Sequence, residues 1–300
     1  MLLNGVAVED TFAEAFAMWG ARVMITAEND KWAMAAARAM TGFATSVIGC
    51  KCEAGIERIV PAGQTPDGRP GVSVLLFATS AESVGKRLVE RVGQCVMTCP
   101  TTACYNALPA ETTATTVVVG GLLRYFGDGF QAAKLLDGRR FWRVPAMDGE
   151  FLVEERFGVQ PAIGGGNLLI LGEDSAPTLA ATEAAVEAMR AVLGVILPFP
   201  DGVVRCGSKV GSRYKTVIAS TNDAYCPTLR AVSSATRLGE DVNCVLEIVI
   251  DGLDLASVEE AMRRGMKAAA RPGVRQISAG NYGGNLGQYK IGLHGLMNGT

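Results

Sequence analysis

The hydrophobic positions of this chain form two kinds of pattern. Short apolar runs bounded by glycine, proline or polar residues are typical of buried strands, and apolar residues at helical spacing are typical of amphipathic helices. In the first half of the chain the order of these patterns is β-α-β-β-α-β. They predict strands at 22–27, 45–51, 72–77 and 94–98, and helices at 30–40 and 81–92.

The same order recurs in the second half of the chain. We therefore predict an α+β fold of two ferredoxin-like lobes, which is a duplicated split βαβ unit, with an inserted middle segment at 105–163. The predicted lobes are residues 1–145 and 146–300. The recurring patterns are strands at 167–172, 194–209, 243–250 and 274–279, and helices at 176–192 and 255–270.

Glu247 is the one ionisable residue in the apolar strand pattern Cys244-Val245-Leu246-Glu247-Ile248-Val249-Ile250. Burying an ionised carboxylate without a partner costs several kcal/mol. The group is therefore expected to find a cation or donors, or to raise its pKa and stay protonated. Either outcome makes Glu247 a candidate acid at a functional site. The alternative is an edge strand whose exposed face carries this residue.

Composition excludes several classes of protein. The hydrophobic content of 49% allows one large core or two ordinary ones. A net charge of −2 without blocks of like charge gives no basic surface for nucleic acid. The chain has no apolar run of membrane-spanning length and no signal-peptide pattern, so we expect a cytoplasmic protein without a membrane partner.

The residue pattern gives little support to metal or histidine chemistry. None of the eight cysteines forms a Cys-x-x-Cys pair, and most lie in apolar surroundings that favour buried thiols. A zinc site would need Cys50 with Cys52 or Cys95 with Cys99, whose spacings are weak evidence. His294 is the one histidine, so a histidine-dependent mechanism would depend on it alone. We expect no metal.

Four segments, 93–101, 207–212, 219–228 and 278–289, are too rich in glycine and hydrogen-bonding side chains to be simple connectors. Glycine permits a ligand or another chain to approach the backbone closely, although each segment could also be an ordinary turn. The candidate substrate-binding residues in these segments are Gln94, Thr98, Lys209, Ser212, Asn222, Asp223, Tyr225 and Asn281.

These segments form part of a resemblance that runs nearly end to end. The stretches that carry it are 9–16, 41–43, 52–56, 65–72, 93–98, 126–129, 208–212, 220–228, 244–250 and 277–281. There the chain closely resembles the formylmethanofuran:tetrahydromethanopterin formyltransferase family. The resemblance implies formyl transfer between the amine of methanofuran and N5 of tetrahydromethanopterin. Both carriers are substrates, and no bound cofactor, metal or covalent enzyme intermediate is implied. Residues 110–119 and 297–300 match poorly.

The resemblance places the family's catalytic glutamate at Glu247. In formyl transfer a neutral amine attacks an amide, so the protein must supply alignment and a hydrogen-bond donor to the oxyanion. A carboxylic acid that apolar surroundings keep protonated can be that donor. The side chains of Gln94, Thr98, Asn222 and Asp223 are expected to orient the substrates.

The resemblance also implies a homo-oligomer, either a dimer or a tetramer. The strand patterns at 72–77 and 245–250 lack clean polar alternation, so lobe packing and subunit association are expected to cover their second faces. The nearly neutral charge favours a bacterial methylotroph relative, in which formyl moves to methanofuran or an analogue and hydrolase subunits release formate. A catalytically silent scaffold and a pterin-binding subunit of the same complex stay open as alternatives.

Overall fold

The computed structural model describes residues 1–298 and has a mixed α+β architecture. The last two residues, Gly299 and Thr300, belong to the predicted second lobe and to the poorly matching tail, and they lie outside the described residues. The chain packs into two compact units. The first unit contains residues 1–17, 163–251 and the chain from 255 onward, and the second contains 18–162 with 252–254. The predicted lobe boundary at 145 stays a prediction.

The elements are numbered in chain order. The helices are α1 (Asp30–Thr41), α2 (Val47–Cys50), α3 (Ala81–Arg91), α4 (Gly120–Leu123), α5 (Ser175–Arg190), α6 (Leu255–Ala269) and α7 (Leu293–Asn298). The strands are β1 (Leu2–Leu3), β2 (Val6–Val8), β3 (Phe12–Thr26), β4 (Glu53–Val60), β5 (Gly71–Ala78), β6 (Ala103–Asn106), β7 (Thr115–Val118), β8 (Ala132–Leu136), β9 (Arg139–Ala146), β10 (Gly149–Glu154), β11 (Arg156–Gly172), β12 (Val195–Ile196), β13 (Ser208–Val210), β14 (Ala219–Thr221), β15 (Cys244–Gly252), β16 (Val274–Ser278) and β17 (Tyr289–Gly292).

The second unit is built on a sheet of order β4-β5-β3-β6-β10-β9-β8. The β6–β10 pair is parallel and the other neighbours are antiparallel. Asn29 is the N-cap of helix α1, and its side chain accepts the N–H of Trp32. Ser80 is the N-cap of α3, and its side chain accepts the N–H of Ser83. Because such caps satisfy N–H groups that have no partner within the helix, they fix where each helix starts. Apolar residues of both helices and of β5 form the core of this unit.

The first unit contains a sheet of order β1-β2-β16-β11-β15-β12, and a separate pair formed by β13 and β14. Helices α5 and α6 contribute to its core together with residues of β11, β15 and β16. Gly265 permits these helices to approach closely, because a Cβ there would lie 1.9 Å from Cε of Met189. Strand β15, which carries Glu247, is thus backed by a packed core.

The predicted strands at 45–51 and 94–98 are wrong. Residues Val47–Cys50 form a helical turn that Ser46 caps, and Lys51 ends it in the left-handed conformation (φ 66°), so the strand begins later, at Glu53. Residues Val92–Val96 continue α3 as a π-helical turn in which Val92 and Val96 are buried. In the second segment the apolar residues contact the core from a helical backbone, whereas none of the residues Val47–Cys50 is buried. A short apolar run does not distinguish such a helical turn from a strand.

The four predicted helices and the strands predicted at 72–77, 243–250 and 274–279 are confirmed to within a few residues. The strands predicted at 22–27 and 167–172 are only the C-terminal ends of β3 and β11, which begin about ten residues earlier. The segment 194–209 forms the short strands β12 and β13 with an irregular connection. Every residue of β5 is buried by the chain itself, so this strand does not need a second subunit to cover it. Within residues 1–298, no helix is long and apolar enough to cross a membrane.

Candidate functional site

The backbone of Glu247 is fixed from two sides. Strand β15 pairs with both β11 and β12, which argues against the edge-strand alternative. The N–H of Glu247 donates to the carbonyl of Val204 at 2.9 Å, and the N–H of Val204 donates to the carbonyl of Glu247 at 2.8 Å. This antiparallel bridge holds the glutamate where its side chain is partly buried.

Burial determines the protonation state of Glu247. It raises the pKa of the carboxyl group from 4.5 to about 7, since a charged carboxylate loses favourable hydration when water is removed. Near neutral pH a large fraction of Glu247 is therefore the neutral acid, which can donate a hydrogen bond.

Gly207 covers one side of this carboxyl group. A Cβ at position 207 would lie 2.6 Å from Oε2 of Glu247, closer than real Cβ contacts allow. The glycine therefore lets the backbone approach the acid directly, and a side chain at this position would displace it.

Two cavities adjoin Glu247. The larger has a volume of about 130 Å³ and the smaller about 40 Å³. Asn222 and Tyr225 line both cavities, and Arg205, Gly207 and Cys226 contribute to the smaller one. The larger cavity is lined by Asn167, Ser208, Lys209, Asn222, Ala224, Tyr225, Arg237, Glu247, Gly280, Asn281 and Tyr282. Reacting groups that entered these cavities would meet one neutral acid among amide, hydroxyl and cationic side chains.

One wall of the larger cavity is the start of the 279–288 loop, which joins β16 to β17. Asn167 holds this loop at Gly280, because its Oδ1 accepts the N–H of Gly280 at 2.6 Å and its Nδ2 donates to the Gly280 carbonyl at 3.1 Å. The side chain of Asn281 lines the cavity, but its Nδ2 donates to Oγ1 of Thr11 at 3.1 Å and to the carbonyl of Phe12 at 3.3 Å. Asn281 therefore also anchors the loop.

Glu14 holds the same loop from its buried side. Its carboxylate is fully buried and accepts the backbone N–H groups of Tyr282, Gly284, Leu286 and Gly287. Burial raises the pKa of Glu14, but these hydrogen bonds outweigh that effect and leave the pKa below its usual value. Glu14 is thus a buried anion that the protein backbone solvates.

Lys209 and Asp223, both predicted as binding residues, form an ion pair with each other. The other oxygen of Asp223 accepts the hydroxyl of Ser233 at 2.8 Å. Hydrogen bonds from Lys209 and Ser233 hold the pKa of Asp223 below its usual range. Lys209 lines the larger Glu247 cavity, whereas Asp223 and Ser212 line a neighbouring groove of about 680 Å³.

Gln94 and Thr98 are not among the residues that line the Glu247 cavities, and they belong to the second unit. Both are exposed, and the hydroxyl of Thr98 donates to the carbonyl of Gln94 at 2.7 Å. Their predicted roles therefore stay predictions.

The sequence analysis did not name Glu14 or Asn167, and it included Gly207 and Tyr282 only as members of the segments 207–212 and 278–289. A signal for Glu14 exists, since it is a carboxylate in the apolar pattern Phe12-Ala13-Glu14-Ala15-Phe16, and the reasoning applied to Glu247 applies to it equally. Asn167 and Gly207 carry no such signal, because their roles depend on which loops approach them.

The described part of the chain contains no group of three or more histidine, cysteine, aspartate or glutamate side chains placed to hold a metal ion. The pairs Cys50 with Cys52 and Cys95 with Cys99 are free thiols. Burial raises the pKa of Cys52, Cys95 and Cys99. Burial also acts on Cys50, but hydrogen bonds with Ser46 and Thr45 outweigh it and lower the pKa of that thiol.

The raised pKa of Glu247 predicts a pH-dependent stability. The folded state binds this proton more tightly than the unfolded state, so the stabilisation is full below about pH 4.5 and is lost as the pH rises through about 7. Urea denaturation of wild type and Glu247→Gln at pH 5 and pH 8 measures it. The wild type should lose about 2–3 kcal/mol relative to the variant between these pH values. An equal difference at both pH values would contradict the raised pKa.

Comparisons with known proteins show the family of this chain. The family model described as formylmethanofuran-tetrahydromethanopterin formyltransferase matches residues 1–146, and the model of that family's proximal lobe matches residues 149–296. A formylmethanofuran–tetrahydromethanopterin formyltransferase of Methylobacillus flagellatus is 55% identical over 302 residues, covering 99% of this chain and 100% of the relative.

Two solved structures are similar to this chain over nearly its whole length. The formyltransferase of Methanosarcina barkeri matches with a TM-score of 0.93 and 48% identity, covering 99% of this chain and 100% of that one. A chain of the formyltransferase/hydrolase complex of Methylorubrum extorquens, solved with methylofuran, matches with a TM-score of 0.95 and 51% identity, covering 99% and 98%. This chain therefore belongs to the formylmethanofuran–tetrahydromethanopterin formyltransferase family.

Proposed function

We propose that this chain transfers a formyl group between N5 of tetrahydromethanopterin and the amine of methanofuran or an analogue such as methylofuran. The observation that carries the proposal is Glu247, an acid with a raised pKa that lines two cavities in a chain of this family. The similar proteins of Methylobacillus flagellatus and Methanocaldococcus jannaschii are formylmethanofuran–tetrahydromethanopterin formyltransferases.

Direct attack needs little covalent chemistry from the protein. The neutral amine of the acceptor forms a C–N bond to the formyl carbon, and the electron pair of the C=O bond moves to oxygen. Protonated Glu247 donates a hydrogen bond to that oxyanion. When the C=O bond re-forms, the donor's C–N bond breaks, and its nitrogen gains the proton that the attacking nitrogen loses. The chain contributes alignment and one neutral donor in a water-poor site.

The remaining candidate residues bind and orient the carriers in this proposal. Asn222 and Tyr225 are placed to do so beside Glu247, since both line its two cavities. The Lys209–Asp223 pair lies where the larger cavity and the neighbouring groove meet, because Lys209 lines both. Ser212 extends this binding surface into the groove. The other proposed substrate-binding residues are Gln94, Thr98 and Asn281.

We also propose that the two units are duplicated ferredoxin-like lobes. In one unit the elements β3-α1-β4-β5-α3-β6 give the sheet order β4-β5-β3-β6, and in the other β11-α5-β12-β15-α6-β16 give β12-β15-β11-β16. The two orders are equivalent, which supports a repeated split βαβ unit. Under this equivalence β15 corresponds to β5.

For partners, we propose hydrolase subunits and a homo-oligomer. The similar Methylorubrum extorquens protein is itself one component of a formyltransferase/hydrolase complex. Exposed large apolar side chains support association, since Phe126 and Phe130 are 74% and 82% exposed and Tyr214 and Ile218 are 75% and 72% exposed. Such residues on one chain are typical of surfaces that another protein covers.

Replacing Glu247 tests the catalytic role. Glu247→Ala removes the oxyanion donor and should lower kcat for formyl transfer about 10²–10³-fold, the range for one such donor. Glu247→Gln keeps an N–H donor of similar shape and should retain more activity than the alanine variant. Steady-state kinetics with both carriers, on protein whose fold circular dichroism verifies, measures the effect.

The same kinetics separates the alternatives. A catalytically silent scaffold would show no transfer in the wild type, and a pterin-binding subunit would bind tetrahydromethanopterin equally well with and without the carboxyl group. A correctly folded alanine variant within a few-fold of wild type would remove Glu247 from the mechanism.

Light scattering of the purified protein tests the assembly. At micromolar concentration we expect a dimer or tetramer of the 31.4 kDa chain, because association covers exposed apolar surface. A stable and active species with the mass of one chain would contradict the homo-oligomer.

A further inference from the structure

Glu14 has the surroundings of a loop anchor. Its Oε2 accepts the N–H of Tyr282 at 2.7 Å and of Gly284 at 2.9 Å, and its Oε1 accepts the N–H groups of Leu286 and Gly287 at 2.5 Å each. A single side chain thus satisfies four backbone donors of the 279–288 loop. A fully buried carboxylate with this many donors is stable as an anion, which its lowered pKa reflects.

The loop can wrap around Glu14 because of its glycines. Gly283 and Gly284 both have φ of +73°, a left-handed conformation that residues with a side chain rarely adopt. At Gly287, a Cβ would lie 2.4 Å from the carbonyl oxygen of Ala15 and 2.7 Å from Cγ of Glu14. The close approach of the loop to the Ala15 backbone and the Glu14 side chain therefore requires glycine at position 287.

Tyr282 is the first residue of the loop whose N–H donates to Glu14, and it also lines the larger Glu247 cavity. Tyr282 lines that cavity, and its ring lies 6.1 Å from the ring of Phe16, two residues after Glu14. Burial raises the pKa of the Tyr282 phenol, and the charges of Glu247 and Glu14 raise it further, so both carboxyl groups lie within electrostatic reach of it. Tyr282 therefore links the two glutamates, because its N–H donates to Glu14 and it lines the same cavity as Glu247.

We propose that Glu14 is a positioning residue for formyl transfer: it holds the 279–288 loop so that Tyr282 covers the cavity and shields the Glu247 carboxyl group from water. This inference rests on the proposed role of Glu247. Glu14 does not contact the substrates and acts only through the position of the 279–288 loop. If the loop moved away, water would reach Glu247 and its anion would be stabilised.

The test is the pH profile of kcat in Glu14→Gln, with both carriers saturating. Glutamine offers one acceptor oxygen and turns an NH₂ group towards N–H donors, so it cannot hold the loop. In the wild type, kcat is expected to decline above about pH 7 as Glu247 loses its proton. In Glu14→Gln this alkaline limb of the profile should move down by about one pH unit, because Glu247 becomes hydrated. The kcat at pH 7 should fall about fivefold for such a shift, with little change at pH 5.

Gly287→Ala tests the same contact from the loop side and keeps the Glu14 carboxylate, so it is decisive if Glu14→Gln does not fold. Gly287→Ala should also move the alkaline limb of the kcat profile to lower pH. Glu9→Gln is the matched control, because Glu9 binds the side chains of Gln276 and Ser278 outside the loop and should leave the profile unchanged.

The other ionisable groups that line the two cavities with Glu247 are Lys209, Arg205, Arg237, Tyr225, Tyr282 and Cys226, and none of them is altered in these variants. A purely structural role for Glu14 would lower kcat equally at every pH. That result would overturn the inference. So would a Gly287→Ala variant whose kcat declines at the same pH as that of the wild type. Failure of the proposed function is a separate outcome, because it would appear as a wild type without transfer or without an alkaline limb.

Discussion

A carboxyl group that loses its water must either be solvated by protein donors or give up its charge. Two glutamates of the same unit meet this constraint in opposite ways. Glu14 keeps its charge because four backbone N–H groups replace the water. Burial raises the pKa of Glu247, which favours its neutral form. The arrangement of the site depends on this difference, since one group organises a loop and the other is available as an acid.

The chemistry proposed for the family fits a site of this kind. When the attacking amine comes with the substrate, the protein does not need its own nucleophile or a histidine base, and His294, the one histidine, is free for a structural role near the N-terminus. A neutral acid stabilises a developing oxyanion without the repulsion that a carboxylate would add. Its strength as a donor depends on the exclusion of water, so the residues that cover Glu247 matter as much as the residue itself.

The sequence predicts the four longest helices well, because they carry periodic patterns, but it predicts only the C-terminal ends of the long strands β3 and β11. It fails at 45–51, where Ser46 caps a helical turn that has no buried residue, and at 94–98, where a continuation of α3 places Val96 in the core without a strand. Glu247 is predictable because a lone charge in an apolar run has few explanations. The contributions of Gly207 and Asn167 are not, since they come from tertiary approach of distant segments. Gln94 and Thr98 were chosen for their polarity and for the resemblance at 93–98, neither of which fixes where the segment lies relative to Glu247, and their roles stay predictions.

The proposed mechanism depends on the protonation state of Glu247, and its carboxyl group can be titrated directly. Infrared difference spectra between wild type and Glu247→Gln isolate the C=O stretch of the protonated acid from the other carboxyl groups. If burial raises the pKa of Glu247, this band should be present at pH 6 and should disappear with a midpoint of about pH 7. A midpoint near 4.5, the value of an ordinary glutamate, would mean that the residue is an anion at neutral pH and cannot be the donor to the oxyanion.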